Sequence, residues 1–419
     1  MTTDTGSLRA STAAPSPRGI TAPLLLVLGL LSAVAPFATD LYLPAFPLIA
    51  TDLGASASTV QLTLTAFLLG VTAGQLVFGP LSDRFGRVPP LVLGALLCVI
   101  ASAVAAMAPD ATTLIVARLL QGLGGAAGMV IGRAVVSDLA TGKSAARAFS
   151  LMMIVGGVAP VVAPLIGGAL TAPLGWRGLL AVVLGLSIVM LVCILIVVRE
   201  THPRSRRTAV RAQRVDGDSP LRALRSRAFV GYTTVFAFAF AVMMAYISAS
   251  PFLYQGLLGL DAVGYGLAFG LNALALVIVS ALSTRLTATR SVESVLTVGI
   301  VVVVSSAVAF ALLVAFAAPV FWLAVPLFTV VGSLGLVFGN ATSLALDAVP
   351  RAAGSASAVL GAAQFGLAAV VSPLVGIGGE DTAAPLAIVM LASAATAAGA
   401  FAVAHRRSGP SRVAGGDDL

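Results

Sequence analysis

Charge is what this chain is short of. Asp, Glu, Lys and Arg make up only 10% of its 419 residues, against roughly a quarter in a soluble domain. With 59% apolar residues and a mean hydropathy of +1.06, that shortage excludes a water-soluble fold. Cysteine is nearly absent: Cys98 and Cys193 both sit inside apolar runs, which excludes a disulfide framework or a thiolate metal site and leaves them as buried hydrophobes. The two histidines, His202 and His405, stand beside arginines at the ends of such runs, so a histidine proton relay has no material. No metal-ligand spacing and no nucleophile–base pair occurs, which argues against an enzyme. Thr141-Gly142-Lys143-Ser144 ends like a phosphate-binding loop, but Ser137 stands where its first glycine is required. Gly122-Leu-Gly124-Gly125-Ala-Ala-Gly128 mimics a dinucleotide fingerprint without a strand before it.

What the chain has is long apolar runs, at about 22–48, 59–79, 89–108, 112–136, 146–170 and 177–198, then 229–252, 262–283, 295–317, 321–345, 353–376 and 383–404. Most reach the roughly 20 residues that a bilayer-spanning helix requires. Ala33-Val34-Ala35 looks like a signal-peptide cleavage site, but Pro36 follows it and the run is too long, so it reads as span 1. The expected architecture is all-α and polytopic: twelve transmembrane helices in two pseudo-symmetric six-helix bundles. Residues 1–19 read as a disordered N-terminus, 20–198 and 228–405 as the bundles, 199–227 as a linker and 406–419 as a tail. The net charge of +8 concentrates in that linker, where Arg199, Arg204, Arg206, Arg207, Arg211, Arg214, Arg222, Arg225 and Arg227 face only Glu200, Asp216 and Asp218. Basic loops beside spans mark the cytoplasmic side and contact anionic lipid; no nucleic-acid partner is implied. Placing both termini in the cytoplasm puts Arg84, Arg87, Lys143, Arg147, Arg285, Arg290, Arg351, Arg406 and Arg407 there too, with Arg177 the exception. Asp52, Asp110, Asp261, Glu380 and Asp381 then face outward.

Internal similarity supports the split. Gly128-Met-Val-Ile-Gly132-Arg-Ala returns as Gly335-Leu-Val-Phe-Gly339-Asn-Ala, 207 residues on, and Pro44 maps onto Pro251 at the same offset. Pro164-Leu-Ile-Gly167 returns 209 residues on as Pro373-Leu-Val-Gly376. Three fragments at nearly one spacing indicate two parallel six-helix repeats.

Ionisable residues inside spans cost about 2.5–3.5 kcal/mol each on insertion scales, so each needs a reason. Asp40 in span 1 and Arg118 in span 4 are the leading pair. A carboxyl can be poised by burial against a nearby cation, and an arginine that keeps its charge can sense whether the carboxyl is ionised. Read as residues alone, Asp40 also serves as an interfacial cap and Arg118 as half of a structural ion pair. Arg133, further along span 4, reads as a snorkelling side chain that pairs with Asp138.

The stretch Gly79-Pro80-Leu81-Ser82-Asp83-Arg84-Phe85-Gly86-Arg87 resembles the loop between helices 2 and 3 of major facilitator superfamily transporters. Gly79 and Gly86 would make its tight turn, Asp83 would address a helix N-terminus, and Arg84 and Arg87 would hold it in the cytoplasm. Thr39-Asp40-Leu41-Tyr42-Leu43-Pro44-Ala45-Phe46-Pro47 is similar to the span 1 signature of drug:proton antiporters of the bicyclomycin/chloramphenicol-resistance (Bcr/CflA) branch. Arg118-Leu-Leu-Gln121-Gly122 is similar to the superfamily's span 4 motif. Gly156-Gly157-Val-Ala-Pro160-Val-Val-Ala-Pro164-Leu-Ile-Gly167-Gly168 is similar to the span 5 motif of antiporters, although Ala159 precedes Pro160 where glycine is commonest. Ser250-Pro251-Phe252, Tyr254-Gln255 and Asn272 also look like this branch. The counterpart hairpin, Leu282-Ser283-Thr284-Arg285, lacks the aspartate and glycines.

The resemblance implies proton-coupled drug efflux by alternating access in a bacterial cytoplasmic membrane. A small-molecule drug, protons and membrane lipid would be the partners, the monomer the working unit, and no cofactor would be needed beyond the coupling proton. It assigns proton coupling to Asp40 and Arg118. Gly79, Asp83, Arg84, Gly86, Arg87, Pro160, Pro164, Gly167 and Gly168 become conformational motifs. Tyr42, Gln121, Met152, Tyr246, Phe252, Asn272, Gln364 and Phe365 are the expected drug contacts in a central apolar cavity. An uptake symporter for a small metabolite, or a non-transporting membrane sensor or scaffold, stays open on the sequence.

Overall fold

The computed structural model describes residues 20–140, 142–202, 224–349, 353–377 and 382–405. The expectations for residues 1–19, for most of the linker and for the tail 406–419 lie outside the described residues, as do Arg351, Glu380, Asp381, Arg406 and Arg407. Every regular element among the described residues is helical. Eleven runs are long and apolar enough to cross a membrane. One of them lies within the helix Gly142–Val197, where Gly175 adopts φ 63° and ψ 179°, a left-handed conformation open to glycine and costly elsewhere. That break divides the helix into spans 5 and 6, which agrees with twelve passes.

Span 1 (Ala22–Asp52), span 2 (Ala57–Phe85), span 3 (Val88–Ala106) and span 4 (Ala111–Leu139) precede spans 5 and 6. Span 7 (Arg227–Leu257), span 8 (Ala262–Leu286), span 9 (Val292–Ala315), span 10 (Val320–Asp347), span 11 (Ala353–Leu374) and span 12 (Ala384–His405) follow. Packing repeats with an offset of six spans. Span 4 lies against spans 2 and 3, as span 10 lies against spans 8 and 9. Between the halves, span 2 meets span 11, and the helix of spans 5 and 6 meets span 8.

Local chemistry explains the ends. Ser56, Asp110, Ser226, Asp261 and Ser291 each accept a backbone N–H from the first turn of the span that follows, satisfying a donor that the helix cannot. For Asp110, the Thr113 N–H at 2.8 Å holds the carboxyl below its usual range. Arg177, out of place by charge, stacks on Trp176 at 4.1 Å and pairs with Asp52 at 3.4 Å.

Spans 1 and 7 both break at related prolines. Pro44 lies in a 3-10 turn, Leu43–Ala45, and Pro251 gives way to a π-type turn, Phe252–Leu257. The two breaks meet at the end opposite the turn between spans 2 and 3: Gln255 donates to the Pro44 carbonyl at 3.0 Å, and Phe46 packs on Phe252. Gln61 donates to the Ser248 carbonyl at 3.1 Å, and Ser58 to that of Gly376. Gly168 abuts the Ala262 backbone, and Gly266 abuts the Pro164 carbonyl. The distal end is closed by these contacts between the halves. A Cβ on Gly125 or Gly339 would meet open space.

A Cβ on Gly122 would run into the Phe67 carbonyl of span 2. Gly122→Ala should therefore destabilise by about 1–3 kcal/mol through overpacking. Gly125→Ala should be neutral or stabilising, since alanine gains about 0.5–1 kcal/mol over glycine in a helix. Melting of the two purified variants in detergent checks this; equal melting temperatures would contradict the packing described.

Candidate functional site

Asp40 is the last residue of the first helical segment of span 1, Ala22–Asp40. Pro36 has already removed one backbone donor from that helix, and the Thr39 hydroxyl turns back to the Pro36 carbonyl at 2.9 Å. The break beyond Asp40 is seated on span 5, where Gly167 abuts the Leu41 carbonyl and the Pro44 ring. Asp40 is only 4% exposed and lies within electrostatic range of Arg118 and Tyr265.

Arg118 is fully buried. Its guanidinium lies over the rings of Tyr42 at 4.3 Å and Phe67 at 4.5 Å, an aromatic sandwich that replaces part of its lost hydration. Nη1 donates to Gln121 Oε1, while Nε and Nη2 have no hydrogen-bond partner among the described residues. Leaving buried donors unmade is costly in a dry site.

The expected hairpin differs from its sequence reading. Span 2 stays helical through Gly79 and ends at Phe85, so the turn rests on Gly86 alone, with φ 98°. Among the described residues, Asp83 accepts from Arg87 Nη1 at 2.7 Å. Glu200, from the end of span 6, serves the start of span 3, accepting the N–H groups of Arg87 at 2.9 Å and Val88 at 3.2 Å. A side chain on Gly86 would collide with that carboxylate. Asp138 belongs to Arg87 rather than Arg133: Arg87 Nε meets it at 2.8 Å, and the Thr201 hydroxyl meets it at 3.0 Å. Arg133 donates to the Met129 carbonyl. Burial works against the Arg87 charge, but Asp138 and Asp83 more than offset it and hold the guanidinium above its usual range. Arg84 lies over the Phe85 ring at 5.3 Å.

The expected drug contacts fall into two groups. Tyr42, Gln121, Met152, Tyr246, Phe252 and Asn272 are all buried. Tyr42 bonds to Thr63, and Asn272 donates to Tyr246 at 2.7 Å and to Tyr254 at 2.9 Å. Gln364 and Phe365 are partly exposed. Phe37, Met129, Phe236 and Phe338, absent from the sequence reading, are also partly exposed. Phe37, Met129 and Phe365 pack on one apolar cluster, and the Phe236 and Phe338 rings lie 5.8 Å apart. These side chains come from spans 1, 4, 7, 10 and 11. The run Phe236-Ala-Phe238-Ala-Phe240 was the available signal. Of the span 5 motif, Pro160 is half-buried; Pro164, Gly167 and Gly168 are buried at the junction with spans 1 and 8.

The sequence model of the Major Facilitator Superfamily matches residues 28–373. The chain is 36% identical to the uncharacterized MFS-type transporter YdgK of Bacillus subtilis, covering 90% of this chain and 94% of that one. It is 30% identical to the bicyclomycin resistance protein homolog of Haemophilus influenzae, covering 87% and 92%. It is 32% identical to the chloramphenicol resistance protein of Pseudomonas aeruginosa, covering 70% and 68%.

The ion pairs at Arg87 differ in exposure, with Asp83 at 56% and Asp138 at 10%. An exposed pair contributes about 0–1 kcal/mol, whereas breaking a buried one costs about 3–5 kcal/mol. Asp138→Asn should lower the melting temperature by several degrees and Asp83→Asn should barely move it. Equal losses in a melting scan would contradict this ranking.

Proposed function

Because the chain belongs to the Major Facilitator Superfamily, whose members are membrane transporters and not enzymes, we propose that it expels drugs in exchange for protons. Its likeness to the bicyclomycin/chloramphenicol-resistance branch supports small amphipathic drugs as substrates. We read residues 20–198 and 228–405 as two bundles that rock about a central cavity, joined by the basic linker 199–227. The arginine distribution supports a bacterial cytoplasmic membrane with both termini inside, and the monomer is a complete transport unit. In that orientation, the described state is closed to the outside.

One observation carries the reading: a buried Asp40 carboxyl lies within electrostatic range of a buried Arg118, two of whose nitrogens have no hydrogen-bond partner among the described residues. With the proton on Asp40, Arg118 keeps its charge to itself, spread over the faces of Tyr42 and Phe67. Once the proton leaves, the carboxylate can satisfy Nε and Nη2, drawing the broken end of span 1 toward span 4. Span 1 meets span 7 through Gln255 and Phe252, so that displacement loosens the distal closure. The outward-open state takes a proton from outside as drug departs, and the return delivers it inside. The membrane potential favours inward movement of a net positive charge by about 2.3 kcal/mol per 100 mV. The drug rests against the partly exposed aromatic group of Phe37, Phe236, Phe338 and Phe365, with Gln364 and Met129 nearby. The Asp83–Arg87 hairpin steadies one of the two states.

Everted vesicles energised by respiration and loaded with a pH dye test the reading. Chloramphenicol or bicyclomycin should trigger proton release from wild type, and Asp40→Asn should reduce it by at least about tenfold, as expected when an essential proton carrier is lost. Accumulation of substrate with protons flowing the same way would replace antiport by uptake. An undiminished response in Asp40→Asn would remove the proton from that residue.

A further inference from the structure

Behind Arg118 runs a chain of buried polar groups that the coupling scheme does not use. Arg118 Nη1 donates to Gln121 Oε1, and Gln121 Nε2 donates to Ser102 Oγ of span 3 at 2.7 Å. The Ser102 hydroxyl donates in turn to the Cys98 carbonyl at 2.6 Å. Arg118, Gln121 and Ser102 are all fully buried, so these bonds are made out of contact with bulk solvent. Ser187 of span 6 closes the far side, with its Oγ 3.5 Å from that of Ser102 and 3.7 Å from Cys98 Sγ. Two glycines permit the approach: a Cβ on Gly124 would strike the Gly94 carbonyl and the Cys98 nitrogen.

The direction of the chain is forced by donor and acceptor chemistry. A serine has one proton, and here it is committed to the Cys98 carbonyl. Its oxygen can then only accept from Gln121, which must turn its NH₂ toward Ser102 and its carbonyl toward Arg118. Arg118 has donors alone, so no other orientation of that amide is tolerated. We infer that Ser102 is a positioning residue for the coupling arginine, holding the Gln121 amide the one way round that pins Nη1 and leaves Nε and Nη2 available. Without the Ser102 hydroxyl the amide loses its anchor, and a reversed amide would set NH₂ against guanidinium. The guanidinium would then rotate between its aromatic faces rather than present a fixed edge. The inference rests on the proposed coupling role of Arg118, and its test has an arm that does not.

The test places wild type, Ser102→Ala and Ser102→Thr in liposomes with ¹⁵N-labelled arginine, the Arg118 signals being identified by their loss in Arg118→Lys. Wild type should show two separate Nη resonances, the mark of a guanidinium held from rotating. Ser102→Ala should merge them and lower chloramphenicol-triggered proton release by up to about a hundredfold, the cost of a misplacement of about 1 Å in a reacting geometry. Ser102→Thr, which keeps the hydroxyl, should restore both. Separate resonances retained in Ser102→Ala would overturn the inference, even if that variant melted earlier. If wild type released no protons, the antiport reading would fail while the resonances still decided whether Ser102 positions Arg118.

Discussion

A guanidinium that cannot give up its proton, held in the middle of an apolar bundle, is the constraint around which the first half is arranged. No carboxylate is bonded to Arg118 among the described residues. Its charge is spread over Tyr42 and Phe67 and tied by one edge to Gln121. Gly122 and Gly124, either side of Leu123, let spans 2 and 3 close in around it. Those glycines are therefore less a generic packing stripe than the means of enclosing a cation. The break in span 1 then sets Asp40 where that enclosed charge can act on it.

The two ends of the molecule are held by different physics. At the turn between spans 2 and 3 the described contacts are ionic: Arg87 bridges Asp83 and Asp138, and Glu200 receives the first N–H groups of span 3. The distal closure joins the two halves through neutral side chains bonded to backbone carbonyls, as Gln61, Ser58 and Gln255 are, and through packing of Phe46 on Phe252 and of Gly168 on the Ala262 backbone. The hydrogen bonds contribute about 0.5–1.5 kcal/mol each.

Much of this was legible in the sequence. Hydropathy gave the passes within a few residues, because a bilayer leaves helices few alternatives, and the Asp40 and Arg118 positions stood out by cost alone. The misses have physical causes. Span 2 runs past Gly79 because Asp83, Arg84 and Phe85 tolerate a helix and only Gly86 needs a positive φ. Asp138 was given to Arg133, five positions away on the same helix, whereas the partner came from a loop distant in sequence. The bonds of Gln121 to Ser102 and of Asn272 to Tyr246 and Tyr254 lie in tertiary proximity alone, which a linear reading does not carry.

The central claim is that the charge on Asp40 decides which end of the molecule is closed. The most direct measurement is the distance between spin labels at Ser137 and Ser343, exposed positions near the ends of spans 4 and 10, in protein whose two cysteines are replaced by alanine. In wild type the distance distribution should shift between two populations as pH is varied, and in Asp40→Asn it should hold one population throughout. A pH response in Asp40→Asn identical to that of wild type would contradict the account.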